Sequence, residues 1–161
     1  MEESSVPYDS DRRPLFHSYS ISESIGYFLS LNHRRVKPLM DDRLCGHGIS
    51  YGMWFFLRIL WEEDDISQSE LAARVSVSQP TTIAALRKIE QQGLATLIRD
   101  ERDKRSIRVS LTAKGRALKE EMLPKVEQIN KILLRDLSDR EVSELLRLLR
   151  KVGENALAND H

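Results

Sequence analysis

The chain has 161 residues, 40% of them apolar, which is enough to build the core of one ordinary domain. Its 25 Lys and Arg balance 25 Asp and Glu, which excludes a uniformly basic nucleic-acid binder and makes any electrostatic footprint a local one. A single cysteine, Cys45, excludes an internal disulfide and a multi-cysteine zinc site, and no two histidines lie at i, i+4 spacing, so neither metal nor cofactor is expected.

No apolar run reaches the roughly 18 residues of a membrane span, and the N-terminal region lacks a continuous signal-type apolar core, so a soluble cytoplasmic protein is expected. Residues 1–19 mix Pro, Ser and charge without periodicity and read as an N-terminal arm. Ser20 and Glu23 have the spacing of a capping box. Ile25, Phe28, Leu29, Val36 and Leu39 then fall on one helical stripe, interrupted by Asn32, and predict a first helix ending near Pro38 to Asp41. The stretch from Asp41 to Gly48, with two glycines, Cys45 and His47, reads as a connection.

Ser50 opens a run from Tyr51 to Trp61 that is apolar on nearly every side, the pattern of a central buried helix, which the acidic residues Glu62 to Asp65 stop. A second capping-box spacing, Ser67 with Glu70, begins a short helix carrying Leu71, Ala72 and Val75. Ser78 caps another that runs to Gln92 with Gly93 as terminator. Two short helices separated by Ser76 and Val77 make a helix-turn-helix.

After Gly93 the period changes to two. Leu94, Thr96 and Ile98 precede a charged stretch from Arg99 to Arg105, and Ile107, Val109 and Leu111 alternate beyond it, which predicts a two-stranded hairpin with a basic tip. Thr112 is placed to cap a long helix reaching about Leu137, with Pro124 as a kink inside it. Ser138 and Glu141 form a third capping-box spacing, before a last helix with Val142, Leu145, Leu146, Leu149 and Val152 on one face. The expected fold is mainly α, six helices with a small two-stranded β-wing.

In the helix from Ser78 to Gln92, at about 100° per residue, Ile83, Leu86 and Ile89 share one sector and are predicted to face the core. Thr81, Ala84 and Lys88 point the other way, flanked by Ala85 and Arg87. Such small, hydroxylated and cationic side chains suit a major groove, where methyls meet thymine and cations reach bases or phosphates. Ser78, Gln79 and Thr81 add donors at the helix start, where the dipole favours phosphate, and Thr82 is counted with them among the candidate DNA contacts. A merely solvated surface helix would show a similar face, and the surrounding charge is what separates the two readings. From Ser78 to Lys119 there are ten basic and four acidic residues, a local charge of +6, whereas Glu62, Glu63, Asp64, Asp65 and Glu70 concentrate −5 just before.

The turn from Ile89 to Leu94, the triplet Asp103-Lys104-Arg105 and the run Leu111-Thr112-Ala113-Lys114-Gly115 occur at set distances from one another. Together they make the stretch from Leu71 to Gly115 resemble the winged helix-turn-helix of the MarR family of bacterial regulators. The resemblance implies a DNA-binding lobe at 50–112, a helical dimerisation region at 20–49 and 113–161, and an intertwined homodimer. It implies that Arg105 enters a minor groove, whose negative potential attracts arginine, with Asp103 orienting it and Lys104 beside it. A two-fold dimer would set two recognition helices about one DNA turn apart on a palindrome. Independently, the apolar stripes on three outer helices exceed what one small core covers.

The implied function is a sequence-specific, DNA-binding transcriptional regulator, a repressor by analogy. Many members release double-stranded DNA when a small aromatic effector enters a crevice beside the lobe. Tyr51, Trp54 and Phe55 are the candidates to line it, with core packing as the alternative. Other members respond to cysteine oxidation. Cys45, beside His47 and Arg43, is the candidate thiolate, although it departs from the early first-helix position of the peroxide-sensing branch, and an incidental thiol in a connection is the other reading. A winged-helix module for protein contact is the competing reading. No nucleophile, base or phosphate-loop pattern points to an enzyme.

Overall fold

Capping residues and hydrophobic period divide the chain into α1 (Ile25–Leu44), α2 (Tyr51–Glu62), β1 (Ile66–Ser67), α3 (Gln68–Val75), α4 (Gln79–Gln91), β2 (Ala95–Arg99), β3 (Ile107–Leu111), α5 (Ala113–Leu134) and α6 (Asp139–Leu157). The computed structural model describes residues 20–101 and 103–158, so the arm expected at 1–19 and the wing residue Arg102 lie outside the described residues. Six α-helices are present among them, as the sequence predicts. No helix there is long and apolar enough to cross a membrane.

The chain falls into two units, Met1–Leu39 and Met40–His161. In the first, Ser20 and Glu23 do not open α1 as a capping box. The Glu23 amide donates to the Ser20 carbonyl at 3.0 Å in a 3-10 turn, and Ser24 is the cap, its hydroxyl accepting from the Tyr27 amide at 3.2 Å. Asn32, the polar break in the apolar stripe, donates its amide to the Phe28 carbonyl at 2.9 Å and so satisfies itself on its own helix. Ile25, Phe28 and Leu29 remain exposed.

The helix does not stop at Pro38. It continues to Leu44 and passes into a 3-10 turn over Cys45–His47, because Met40 and Leu44 are buried and their burial outweighs one missing amide donor.

In the second unit α2 is the central element. Ser50 caps it by accepting from the Met53 amide at 3.3 Å, and Met53, Trp54, Phe56, Leu57 and Leu60 are buried where it packs on α3, α4, α5 and β3. The sheet has three strands in the order β1-β3-β2, all antiparallel. The predicted hairpin is β2 and β3, in register from Ala95 opposite Leu111 to Arg99 opposite Ile107. The third strand, β1, was not predicted. It pairs Ile66 with Val109 and is too short to display a period.

Thr112 caps α5, accepting from the Gly115 amide at 3.0 Å, and α5 passes through Pro124 without interruption. A complete capping box of Ser138 and Glu141 opens α6. No residue of α6 is buried, and its apolar stripe, with Leu145, Leu146, Leu149 and Val152, stands exposed with Ile132 and Leu133 of α5.

The first turn of α5 lies directly on the backbone of Leu94. A β-carbon at Gly115 would stand 1.9 Å from the Leu94 carbonyl oxygen, and the Trp61 indole donates to the Gly115 carbonyl at 2.9 Å. A methyl group there must displace main chain on both sides. Gly115→Ala is therefore expected to destabilise the fold by at least about 3 kcal/mol in urea unfolding. A loss below about 1 kcal/mol would mean that α5 shifts freely against β2.

Candidate nucleic-acid interface

The two helices of the turn motif meet through a left-handed residue. Ser76 (φ 57°) ends α3, with its own amide donating to Ala73 and the Val77 amide to Ala72, so the last carbonyls of α3 are satisfied before the chain reverses. Ser78 then caps α4. Its hydroxyl accepts from the Thr81 amide at 3.4 Å and lies 2.9 Å from the Thr81 hydroxyl.

The inward seam of α4 is Thr82, Leu86 and Ile89, all 0% exposed. Thr82 therefore leaves the candidate contact set. Its hydroxyl donates to the Ser78 carbonyl at 3.1 Å inside the fold, while Ile83, expected in the core, is 37% exposed at the rim. The helix is rotated by less than one residue's angle from the expected setting. Gln79, Thr81, Ala84, Arg87 and Lys88 remain exposed, Ala85 is half-exposed, and neither Arg87 nor Lys88 has a carboxylate partner among the described residues.

At the wing tip, Asp103 shapes the backbone. Its carboxylate accepts from the Arg105 amide at 3.0 Å, its carbonyl accepts from the Ser106 amide at 2.8 Å, and its own amide donates to the Asp100 carboxylate at 3.3 Å. This is an Asx turn, so the Asp103 carboxylate engages the Arg105 main chain and, among the described residues, leaves the guanidinium unpaired. Lys104 and Arg105 are exposed without a carboxylate partner among the described residues.

The acidic run is not a separate negative pole. Asp64 accepts from the Leu111 amide at 2.7 Å and from Arg116 at 3.1 Å. Asp65, itself left-handed at φ 56°, accepts from Arg108 at 3.0 and 2.9 Å and from the Ser110 hydroxyl at 2.8 Å, and its carbonyl takes a further Arg108 N–H. Glu63 pairs with Arg74 at 2.7 Å. Lys114 donates to the Gln92 carbonyl at 2.8 Å. Of the ten basic residues in the sequence count, Arg108, Arg116 and Lys114 are thus committed within the fold. Among the described residues, the outward cations of α4 and the hairpin without a carboxylate partner are Arg87, Lys88, Arg99, Lys104 and Arg105.

Among the candidate sensing residues, Trp54 is 5% exposed, edge-on to Trp61 with ring centroids 5.5 Å apart and Arg58 over its face. It belongs to the core and leaves the ligand set. The Tyr51 and Phe55 rings meet at a tilt of 59° with centroids 5.0 Å apart, Phe55 is 42% exposed, and burial together with the nearby Asp41 charge raises the Tyr51 phenol above its ordinary value. Cys45 is exposed, its thiol donating to the Asp42 carbonyl at 3.3 Å. The groups expected to activate it are engaged elsewhere. Arg43 pairs with Asp42 at 3.0 Å, and His47 lies 2.6 Å from the Lys125 ammonium and 3.6 Å from Glu121. Among the described residues no three His, Cys, Asp or Glu side chains gather as metal ligands.

The sequence profile of the MarR family matches residues 49–107, the span from the entry of α2 to the start of β3. The HTH-type transcriptional repressor NicR of Pseudomonas putida is 28% identical over 141 residues, 86% of this chain and 89% of that protein. A MarR transcriptional regulator from Methanosarcina mazei is 32% identical and superposes with a TM-score of 0.76 over 83% of this chain and 96% of its own. BpsR of Bordetella bronchiseptica, whose DNA binding is regulated by 6-hydroxynicotinic acid, is 26% identical, with a TM-score of 0.78 over 84% of this chain and 97% of its own.

The wing anchor depends on an ionised carboxylate. Hydrogen bonds from Arg108, then from Ser110, hold the Asp65 carboxyl below its ordinary value. A carboxylate with a depressed folded-state pKa contributes stability above its unfolded pKa, about 3.9, and loses it as pH falls through the folded value. Wild type should therefore resist urea better than Asp65→Asn, which keeps the left-handed backbone, by a margin constant from about pH 7 to 5 and closing below about pH 4. A margin that ignores pH would place the anchor elsewhere than in the ionised carboxylate.

Proposed function

The chain belongs to the MarR family of transcriptional regulators, and from that premise we propose that it works as a homodimeric repressor on a palindromic operator. Residues 50–112 serve as the DNA-binding lobe, and 20–49 with 113–161 as the dimerisation region. The carrying observation is the wing tip, where an Asx turn presents Arg105 with no carboxylate partner among the described residues. Arg105 and Lys104 enter a minor groove. Ser78, Gln79, Thr81, Ala84, Ala85, Arg87 and Lys88 address the adjacent major groove and its phosphates. A winged helix used for protein contact would have no need of such an arginine. The role is binding rather than catalysis, in the cytoplasm.

The dimer is supported by α6, an amphipathic helix with no buried residue whose leucine stripe would otherwise stand in water. Effector control is supported by BpsR, and a small aromatic acid of the same class would find the tilted Tyr51–Phe55 pair a suitable face.

The test is fluorescence anisotropy with DNA from upstream of the gene, and with duplexes selected from a random library, for wild type and Arg105→Ala across a salt series. Arg105→Ala is expected to weaken operator binding by about 1–3 kcal/mol at an unchanged melting temperature, whereas Arg108→Ala lowers the melting temperature first. An empty selection would move the assignment to a protein-binding module. In sedimentation at micromolar concentration the particle should have twice the 18.6 kDa chain mass. A particle of single-chain mass would exclude the dimer.

A further inference from the structure

We infer that Gln92 is a positioning residue that couples the recognition helix to the α1–α2 connection and to α5, and so sets operator affinity without touching DNA. The inference rests on the DNA-binding reading of α4. Gln92 is the C-cap of α4, and it joins three elements. Its side-chain Nε2 donates to the Gly48 carbonyl at 2.6 Å, its own carbonyl accepts from Lys114 at the start of α5 at 2.8 Å, and its amide closes α4 on Lys88 at 3.1 Å.

Gly48 ends the 3-10 turn in the left-handed region (φ 70°), and the preceding His47 is held by Lys125 and Glu121 of α5. The amide of Gln92 thus grips a turn that is itself tied to the middle of α5, while Lys114 ties α4 to the first turn of the same helix.

The price of this arrangement is visible. Gln92 Oε1 is the buried side-chain polar atom without a hydrogen-bond partner among the described residues. An apolar side chain of equal length would remove this orphan acceptor but would take the donor from the Gly48 carbonyl. What the amide supplies is direction, since only a donor at Nε2 fixes α4 to the Gly48 carbonyl. A shift of α5 relative to α4 must break or carry this bond, and α4 projects its other end, at Ser78 to Thr81, toward DNA.

Contiguity alone does not establish coupling, so the test is a double-mutant cycle. The variants are Gln92→Met, which removes the donor at constant length, and Gly48→Asn, which tolerates the left-handed backbone but whose β-carbon meets Gln92 Nε2 at 3.2 Å. Each is read for affinity to a library-selected operator duplex and to a scrambled duplex across salt, and for hydrogen exchange of the free protein.

Each single variant should weaken operator binding about tenfold while leaving scrambled-duplex affinity and the salt slope unchanged. The double variant should be no weaker than the weaker single one. In Gln92→Met, amides at both 45–49 and 88–94 should exchange faster. Unchanged operator affinity in a folded variant, additive losses, or faster exchange confined to 88–94 would each overturn the coupling. If Gln92→Met does not fold by circular dichroism, Gln92→Asn, which keeps the amide but shortens its reach, takes its place with the same criteria. Arg105→Ala separates the two levels. Binding sensitive to Arg105 but not to Gln92 overturns the coupling alone, and binding sensitive to neither overturns the DNA-binding reading and leaves hydrogen exchange to decide the coupling.

Discussion

Two adjacent carboxylates, Asp64 and Asp65, determine where the wing can stand. Each accepts from both a guanidinium and a second donor on or beside β3, and Asp65 adopts a left-handed backbone so that its carboxylate and its carbonyl both reach Arg108. An exposed ion pair by itself contributes little, because solvent screens it and the side chains lose entropy. Here the value is geometric. A bidentate guanidinium, a hydroxyl and a main-chain amide converge on one corner, which fixes β3 beside the end of α2 and allows two residues, Ile66 and Ser67, to count as a strand. The same corner sorts the positive charge. Arg108 and Arg116 pair with the aspartates at the surface, and on α4 and the hairpin Arg87, Lys88, Arg99, Lys104 and Arg105 remain without a carboxylate partner among the described residues.

The recognition helix is held asymmetrically for the same reason. Its C-terminal end is enclosed by side chains from the beginning of α5: Thr112 donates to the Gly93 carbonyl at 2.7 Å, Lys114 donates to Gln92, and Gly115 allows the two backbones to touch. Its N-terminal end carries only Ser78 and Thr81 as caps and otherwise faces outward. The carbonyls at its C-terminal end are satisfied by protein donors, whereas the amides of its first turn can be satisfied by water or by phosphate. A helix built in this way is tied to its neighbours at one end and available at the other.

Much of this was legible in the sequence because helix period, capping residues and strand alternation are local signals. Ser50, Ser67, Ser78, Thr112 and Ser138 all cap helices where their spacing predicts, and the hairpin has the predicted strands. What escaped depends on neighbours distant in the chain. Thr82 and Ile83 exchange roles because a helical wheel gives relative angles and not the direction of the core. Pro38 does not end α1 because the burial of Met40 and Leu44 is decided in three dimensions. Counting charge along the chain overstated the basic patch, since nothing local shows that Asp65 will meet Arg108 across 43 positions. Gln92 gave no signal at all, being an ordinary polar residue at a helix end whose partner, Gly48, lies 44 residues earlier.

The last helix sets the condition under which the rest operates. An isolated helix gains most of its stability in a protein from packing its apolar face, and among the described residues α6 has none that is buried. Its leucine stripe therefore has to be covered for the helix to persist, and in the proposed homodimer a second copy covers it. Folding of α6 and association then become one equilibrium, so that chain concentration, assembly and the spacing of two reading heads are thermodynamically linked. A ligand acting anywhere on that assembly need only favour one spacing over another. The lobes need not be remodelled, because each is already braced by its aspartate corner and by the closed end of its recognition helix.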